Sequence, residues 1–380
     1  MTACRVRAAA VARLFLFAAT AQLTLAGPAS SEVRPREVRF DLYAFSQDDD
    51  PAQPLRNEGL TYVGARPSAV LELSPSVTLH ANGAFALISN EDAAELPASA
   101  GATVTSASSR VIAVDVSAGL EIRRPGSPWT FRPGAYYHHQ VGWVSEGVDV
   151  GVDRELSGGD AVISLTVNQR VAFPKLRTWN GVDNGRDITA THSVTLGWKQ
   201  NVSPSVVTNV SFQFTRADGF LGDSYNYVVL YNGGTPIAVR DESLPNKRNR
   251  FQGSARIRWS PRLGTALGLD ASAYKDDWDI RHVAVEPSVA APLPGGLRGK
   301  AWFRWSDQKE SKYFRAAPSA ERRFQTQDSD LGTFTTKGGG FSLTVPVGDR
   351  RWEWRIAAFG LDRSDGMLAA GMDAGVVRAW

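Results

Sequence analysis

Along most of this chain, apolar and polar residues alternate with a period of two. From Arg250 to Trp259, Arg250, Gln252, Ser254, Arg256 and Arg258 interleave with Phe251, Gly253, Ala255, Ile257 and Trp259. Successive Cβ atoms of a strand point to opposite sides, so this spacing puts one set on each face. The pattern recurs in Ile112, Val114, Val116, Ala118, Leu120 and Ile122 against Asp115, Ser117, Glu121 and Arg123. It recurs again in Val210, Phe212 and Phe214 against Asn209, Ser211, Gln213 and Thr215, and in Ala301, Phe303 and Trp305 against Arg298, Lys300 and Arg304. Short turn signals, such as Ser74-Pro75-Ser76, Asn201 to Pro204, Ser260 to Gly264 and Pro292 to Gly296, are interspersed with longer polar segments at 47–56, 91–108, 172–189, 217–247 and 309–329. Short turns at one end and long loops at the other is the layout of a membrane barrel.

The pattern predicts an all-β fold, a transmembrane antiparallel up-and-down β-barrel of about 16 strands over residues 37–380. An even count places both termini at the short-turn, periplasmic end. Tight connections are expected near Val141, Asp277 and Asp365, and Pro67 and Pro287 interrupt otherwise regular strands. A soluble β-sandwich would alternate too, but the strands here are long enough to cross a bilayer at a tilt. Aromatic residues also cluster near strand ends (Trp129, Phe131, Tyr136, Tyr137, Trp143, Trp259, Trp352 and Trp354), as interfacial girdles do.

The two ends of the chain agree. Residues 1–26 carry Arg5, Arg7 and Arg13, an apolar stretch beginning at Leu14, and small residues before Gly27, the signature of a secretory signal peptide. A short periplasmic segment, 27–36, is expected to follow. At the other end, Asp373, Gly375 and a terminal Trp380 fit the final-strand pattern read by the outer-membrane assembly machinery, while Arg378 departs from it. Composition then closes several alternatives. Taking Arg5, Arg7 and Arg13 from the 42 basic residues leaves 39, equal to the 39 acidic ones, so the basic pI belongs to the leader and no nucleic-acid partner is expected. The only cysteine, Cys4, lies in the leader, which excludes a disulfide, a Cys-ligated metal or a C-x-x-C-H haem in the remainder. Beyond the leader no apolar run of about 18 residues suggests a transmembrane helix.

Four segments resemble, in order, a bacterial outer-membrane family catalogued as domain of unknown function 3570. They are Ala217 to Val228 followed by Leu244 to Arg250; Tyr274-Lys275-Asp276-Asp277-Trp278-Asp279-Ile280-Arg281-His282; Trp305 to Phe314; and Thr326 to Phe334. The resemblance runs from about residue 190 to the end, and Asp279 stands where the family has a small residue. It implies an outer-membrane barrel and no established activity.

Candidate chemistry is sparse. Asp276, Asp277 and Asp279 form an acidic cluster expected at a tight extracellular tip. Three carboxylates in four residues are compatible with a divalent cation, but one short segment rarely supplies six oxygen ligands. The favoured reading is a turn with Arg281 and His282 as ion-pair partners and Trp278 at the interface. Asp48-Asp49-Asp50 reads the same way. His138 and His139 point to opposite faces, and His80, His192 and His282 are scattered, so no metal and no cofactor is expected. Hydrolase and phosphate-loop motifs are absent, and the chain is not expected to be an enzyme.

With apolar residues facing lipid, the bore would receive a basic wall (Arg250, Arg256, Arg258, Arg298, Lys300, Arg304, Arg351 and Arg355) and an acidic wall (Glu72, Asp115, Glu121, Asp149 and Asp153), with Arg66, Arg123 and Arg132 mixed in. Facing walls would set a field across the bore; alternatively, the charges pair and rigidify it. The sequence therefore points to an outer-membrane barrel acting as a passive porin-like channel for small polar or charged solutes. The alternative is a structural or accessory barrel docking a periplasmic or surface partner protein, in a redox system for example. The expected surroundings are outer-membrane lipid and the assembly machinery.

Overall fold

The computed structural model describes residues 33–48, 60–90, 111–178, 182–222, 226–348 and 351–380. The leader 1–26, Asp49 and Asp50 lie outside these residues. Strand alternation becomes structure as follows. The wall is formed by β1 (Arg34–Asp48), β2 (Leu60–Ser74), β3 (Val77–Asn90), β4 (Val111–Ile122), β5 (Trp129–Gln140), β6 (Trp143–Leu156), β7 (Ala161–Arg177), β9 (Thr189–Ser203), β10 (Val206–Gly219), β13 (Lys247–Arg262), β14 (Thr265–Asp276), β15 (Arg281–Pro292), β16 (Arg298–Lys309), β17 (Phe334–Val347), β18 (Trp352–Arg363) and β19 (Leu368–Ala379). Three further strands belong to loops: β8 (Asp183–Arg186), β11 (Tyr227–Asn232) and β12 (Thr235–Asp241). β8 pairs only with the end of β7, and β7 pairs directly with β9.

Each wall strand pairs antiparallel with the next, and β1 pairs with β19 from Glu37↔Ala379 to Asp48↔Leu368. The result is a closed 16-stranded antiparallel barrel with no free edge in its wall. β1 begins at Arg34, so residues 34–36, expected in a periplasmic segment, belong to the wall. The tight turns expected near Val141, Asp277 and Asp365 are present at 141–142, 277–280 and 364–367, opposite the termini.

The outer face carries exposed Phe40, Leu42, Phe85, Leu87, Ile112, Val116, Leu165, Leu196, Phe212, Phe251, Ile257, Phe303, Phe341, Ile356 and Met372. Toward the terminal end, Trp129, Trp198, Trp259, Trp352, Trp354 and Trp380 stand exposed, an aromatic girdle. Tyr136, grouped with the girdle on sequence, shares the inward face of β5 with Arg132 and His138, and the Arg170 guanidinium lies 4.3 Å from its ring centre. Arg378 is on the outer face with Val38 and Trp352 and rests its guanidinium on the rings of Trp352 and Trp380, at 5.0 and 4.5 Å. This cation–π clamp is how an arginine is accommodated in the terminal motif.

Pro67 and Pro287 lie inside β2 and β15 and break one ladder each. The β2–β3 register skips from Ala65↔Phe85 to Ser68↔Asn82, and the β15–β16 register skips from Val285↔Trp305 to Ser288↔Trp302. A proline has no N–H to donate, so pairing lapses on the side where that donor would act.

Apart from Pro174 on β7, the largest fully buried side chains among the described residues are not in the wall. Trp278, Gln325, Val228, Val229, Thr326 and Ser311 are essentially inaccessible, and all come from connections at the end opposite the termini. The β11–β12 hairpin, the 277–280 turn and the 310–333 loop pack together there. Tyr231 N–H donates to Pro318 O, Lys312 N–H to Trp278 O, and Ser243 and Gln325 exchange backbone bonds. A barrel whose inner face is polar cannot build an apolar core inside itself, so the chain's compact core forms in its loops.

Candidate functional site

The inner face of the barrel is the candidate site. Every residue of the expected walls except Arg351, which sits in the turn before β18, lies on a strand, and period two sends each of these inward, opposite the exposed apolar set. The charges do not stand as two bare walls. Arg256 and Arg258 share Asp270, at 2.7 and 2.6 Å; Arg298 pairs with Glu353; Arg304 lies 3.6 Å from Glu286. Across the bore, Glu72 accepts from Arg36 at 3.0 Å, Asp153 pairs with Arg132 at 2.6 Å, and Asp115 with His138 at 2.7 Å; His80 lies 3.8 Å from Glu121. Arg66, toward the acidic wall, pairs with Asp373. Each wall therefore holds its own counter-charges on strands one or two places away, and the field is set by what this pairing leaves uncancelled. Among the described residues, no carboxylate lies within ion-pair distance of Lys300 or Arg355, both inward-facing on β16 and β18. Asp149 faces inward opposite Gly134. Arg250 does not join the open wall: it sits half-buried at the level of Asp276, under the packed loops, with its Nε unpartnered.

The acidic tip differs from its expectation. Asp276 is not exposed; its side chain is completely buried and pairs with Arg248 at 2.6 Å. One carboxylate oxygen accepts from the backbone N–H groups of Trp278 and Ile280, both at 3.0 Å, and the other from Arg248 Nε and the Tyr274 hydroxyl, both at 2.7 Å. Its partner is thus Arg248 rather than Arg281 or His282. Trp278 is not at an interface: it is 2% exposed, with Arg248 4.3 Å over its ring and its indole N–H donated to Lys247 O. Asp277 accepts from Asn249 Nδ2 at 2.8 Å. Asp279 has φ +70, the left-handed region that aspartate tolerates better than most. With Asp276 saturated by four donors, the cluster is the pin of the loop assembly.

Two more inward-facing residues, unforeseen from the sequence, fix that assembly to the barrel. Gln308 donates to Asp330 O and Gly332 O at 2.7 and 3.0 Å. Arg363, 5% exposed, pairs with Asp330 at 2.5 Å and Asp365 at 2.7 Å and donates to Ser329 Oγ at 3.0 Å. The 329–332 segment is thereby tied to the inward-facing side chains of β16 and β18 at the end opposite the termini. On the other flank of the same end, Lys175 and the Gly185 N–H hold the Asp183 carboxyl below the ordinary carboxylate range.

Two recesses open in the inner wall. One, of about 490 Å³, is lined by Arg39, Asp41, Arg66, Asn82, Asp115 and Tyr136. The other, of about 290 Å³, is lined by Asn209, Ser254, Arg256, Asp270, Ser272, Glu286 and Arg304. Each adjoins one of the two proline breaks, at Pro67 and Pro287. At the barrel's closing seam, Asp41 is 4% exposed and takes the space a side chain at Gly375 would need: a Cβ there would fall 1.9 Å from Asp41 Oδ1. Gly375, expected as part of an assembly signal, thus also has a packing reason to be glycine. Trp380 follows β19 and donates its backbone N–H to Arg36 O.

Comparison with known proteins is consistent with this architecture. A bacterial polysaccharide outer membrane secretin superimposes with a TM-score of 0.50 at 10% identity, covering 90% of this chain and 98% of that chain. OccK1 (OpdK) of Pseudomonas aeruginosa gives 0.45 at 11% identity, over 92% of this chain and 98% of that one. The siderophore receptor PirA from Pseudomonas aeruginosa gives 0.45 at 10%, over 87% and 57%. At such identities the likeness concerns the fold alone. No curated protein matches the sequence. The signature of the family described as Protein of unknown function (DUF3570) matches residues 156–374, starting ahead of the segments that carried the resemblance. With well over half of its length inside that signature, and all four of those segments within it, the chain belongs to the DUF3570 family.

Proposed function

We propose that the protein is an outer-membrane channel, a passive pore for small polar or charged solutes. The observation that carries this reading is the inner face. Charged and hydroxyl-bearing side chains occupy it from β1 to β19, while the outer face presents an apolar belt suited to lipid. Movement is by diffusion, with no covalent step. Locally paired charges orient polar solutes without trapping them, and the surplus at Lys300 and Arg355 biases the bore toward anions. The 329–332 segment acts as a constriction at the mouth.

Conductance of the purified barrel in planar bilayers tests the proposal. Stepwise ionic current is expected, and Lys300→Glu combined with Arg355→Glu should move the reversal potential in a salt gradient toward cations. A protein that is folded, as judged by heat-modifiable gel mobility, yet passes no current would overturn the channel. An unchanged reversal potential would overturn the part assigned to Lys300 and Arg355. A second reading, an accessory barrel docking a periplasmic or surface partner, draws support from the loop assembly, which packs like a small globular core rather than as solvated loops. A folded, electrically silent barrel would favour it.

A further inference from the structure

The recess beside Pro287 differs from its counterpart in one respect. In the recess beside Pro67 every charge is engaged in a close pair: Arg39 with Asp41 at 2.5 Å, Arg66 with Asp373 at 2.5 Å, Asp115 with His138 at 2.7 Å. In the recess beside Pro287 the row Arg256, Asp270, Glu286, Arg304 crosses β13 to β16. Asp270 is held by two arginines, but Glu286 and Arg304 stay 3.6 Å apart, too far for a hydrogen bond. The cause is local. Pairing between β15 and β16 lapses at Glu286 and Pro287, so Glu286 and Arg304 stand opposite each other in an unchanged register but without ladder bonds to draw the strands together. Glu286 also faces Asp270 directly across the β14–β15 ladder, a like-charge pair that a cationic group would relieve. The wall next to Arg304 is Gly338, over which the Leu361 side chain leans, so the flank on that side is apolar and brings no competing charge. Ser254, Ser272 and Asn209 add neutral donors and acceptors to the same recess.

We propose that this recess is a binding station for small zwitterions, compounds carrying an ammonium and a carboxylate on the same carbon, as free α-amino acids do. Glu286, backed by Asp270, receives the ammonium, and Arg304 receives the carboxylate. The inference gives a solute class to the channel reading and rests on it for its physiological meaning. The station itself is testable without flux.

The test is calorimetric titration of the purified full-length barrel in detergent with L-alanine, and with its two halves, propionate and ethylammonium. Saturable L-alanine binding is expected, with each half binding at least about tenfold more weakly. Glu286→Gln and Arg304→Gln should each reduce L-alanine affinity by between about tenfold and about a hundredfold, the worth of one charge-assisted hydrogen bond. Arg240→Gln, in the loop pair with Glu321, should leave affinity unchanged. Heat-modifiable mobility establishes that each variant is folded. Equal binding of either half, unchanged affinity in Glu286→Gln, or no saturable binding of L-alanine would each overturn the station. Binding by a barrel that passes no current would overturn the channel while leaving the station standing.

Discussion

Replacing Asp276 with alanine should release the loop assembly while leaving the barrel wall closed. The carboxylate accepts from two backbone amides, a tyrosine hydroxyl and the Arg248 guanidinium, and neither member of the ion pair has appreciable solvent access: the side chains of Arg248 and Asp276 are 12% and 0% exposed. Removing one partner of a buried pair costs about 3–5 kcal/mol, because the remaining charge keeps its desolvation penalty without its compensation. The loss is borne by the unit that Asp276 organises: the 277–280 turn, Ser311 and Lys312 bonded to Trp278 O, and the hairpin packed beside them. The wall ladders have their own backbone bonds and should be insensitive. Hydrogen exchange read by mass spectrometry resolves the two. At about 1.4 kcal/mol per factor of ten, amides of Trp278, Ile280 and Lys312 should exchange about 10²- to 10⁴-fold faster, up to the unprotected limit, with β13 to β16 unchanged. Asp276→Asn, which keeps an acceptor for the two amides but not the charge, should give a smaller increase. The reasoning fails if protection at Trp278 and Ile280 is retained in Asp276→Ala, or if exchange rises equally throughout the wall.

Two further outcomes are expected. Gly375→Ala should lower the urea midpoint by the equivalent of about 1–3 kcal/mol, the usual cost of overpacking, since its methyl collides with Asp41; most of that penalty should vanish in an Asp41→Ala background. An equal penalty in both backgrounds would show that the Asp41 contact is not its cause. Arg363→Ala should loosen the 329–332 segment by removing its bonds to Asp330 and Ser329, raising single-channel conductance and current noise; unchanged conductance would mean that the segment does not limit the pore.

The sequence predicted the number of strands, their faces and the position of both termini because period-two alternation is a local property: it reports which side of a strand meets lipid without knowledge of any neighbour. The family was likewise legible, from the segment around Asp276 to His282. The meaning of that segment was not. Sequence alone gives Asp276 the nearby Arg281 and His282 as partners, because its actual partner, Arg248, is 28 positions away and faces it only once β13 and β14 have paired. Asp270 and Glu286 sit at inward positions that alternation could have marked, yet their partners, and the gap that Pro287 leaves between Glu286 and Arg304, depend on inter-strand register. Gln308 and Arg363 carried no signal of their own, since their partners lie in a long irregular loop. What the chain determined by itself was which residues face the bore. Which of those charges cancel, which stay available, and where the loops are tied to the wall were decided by tertiary pairing, because electrostatics and packing act between strands that are distant in sequence.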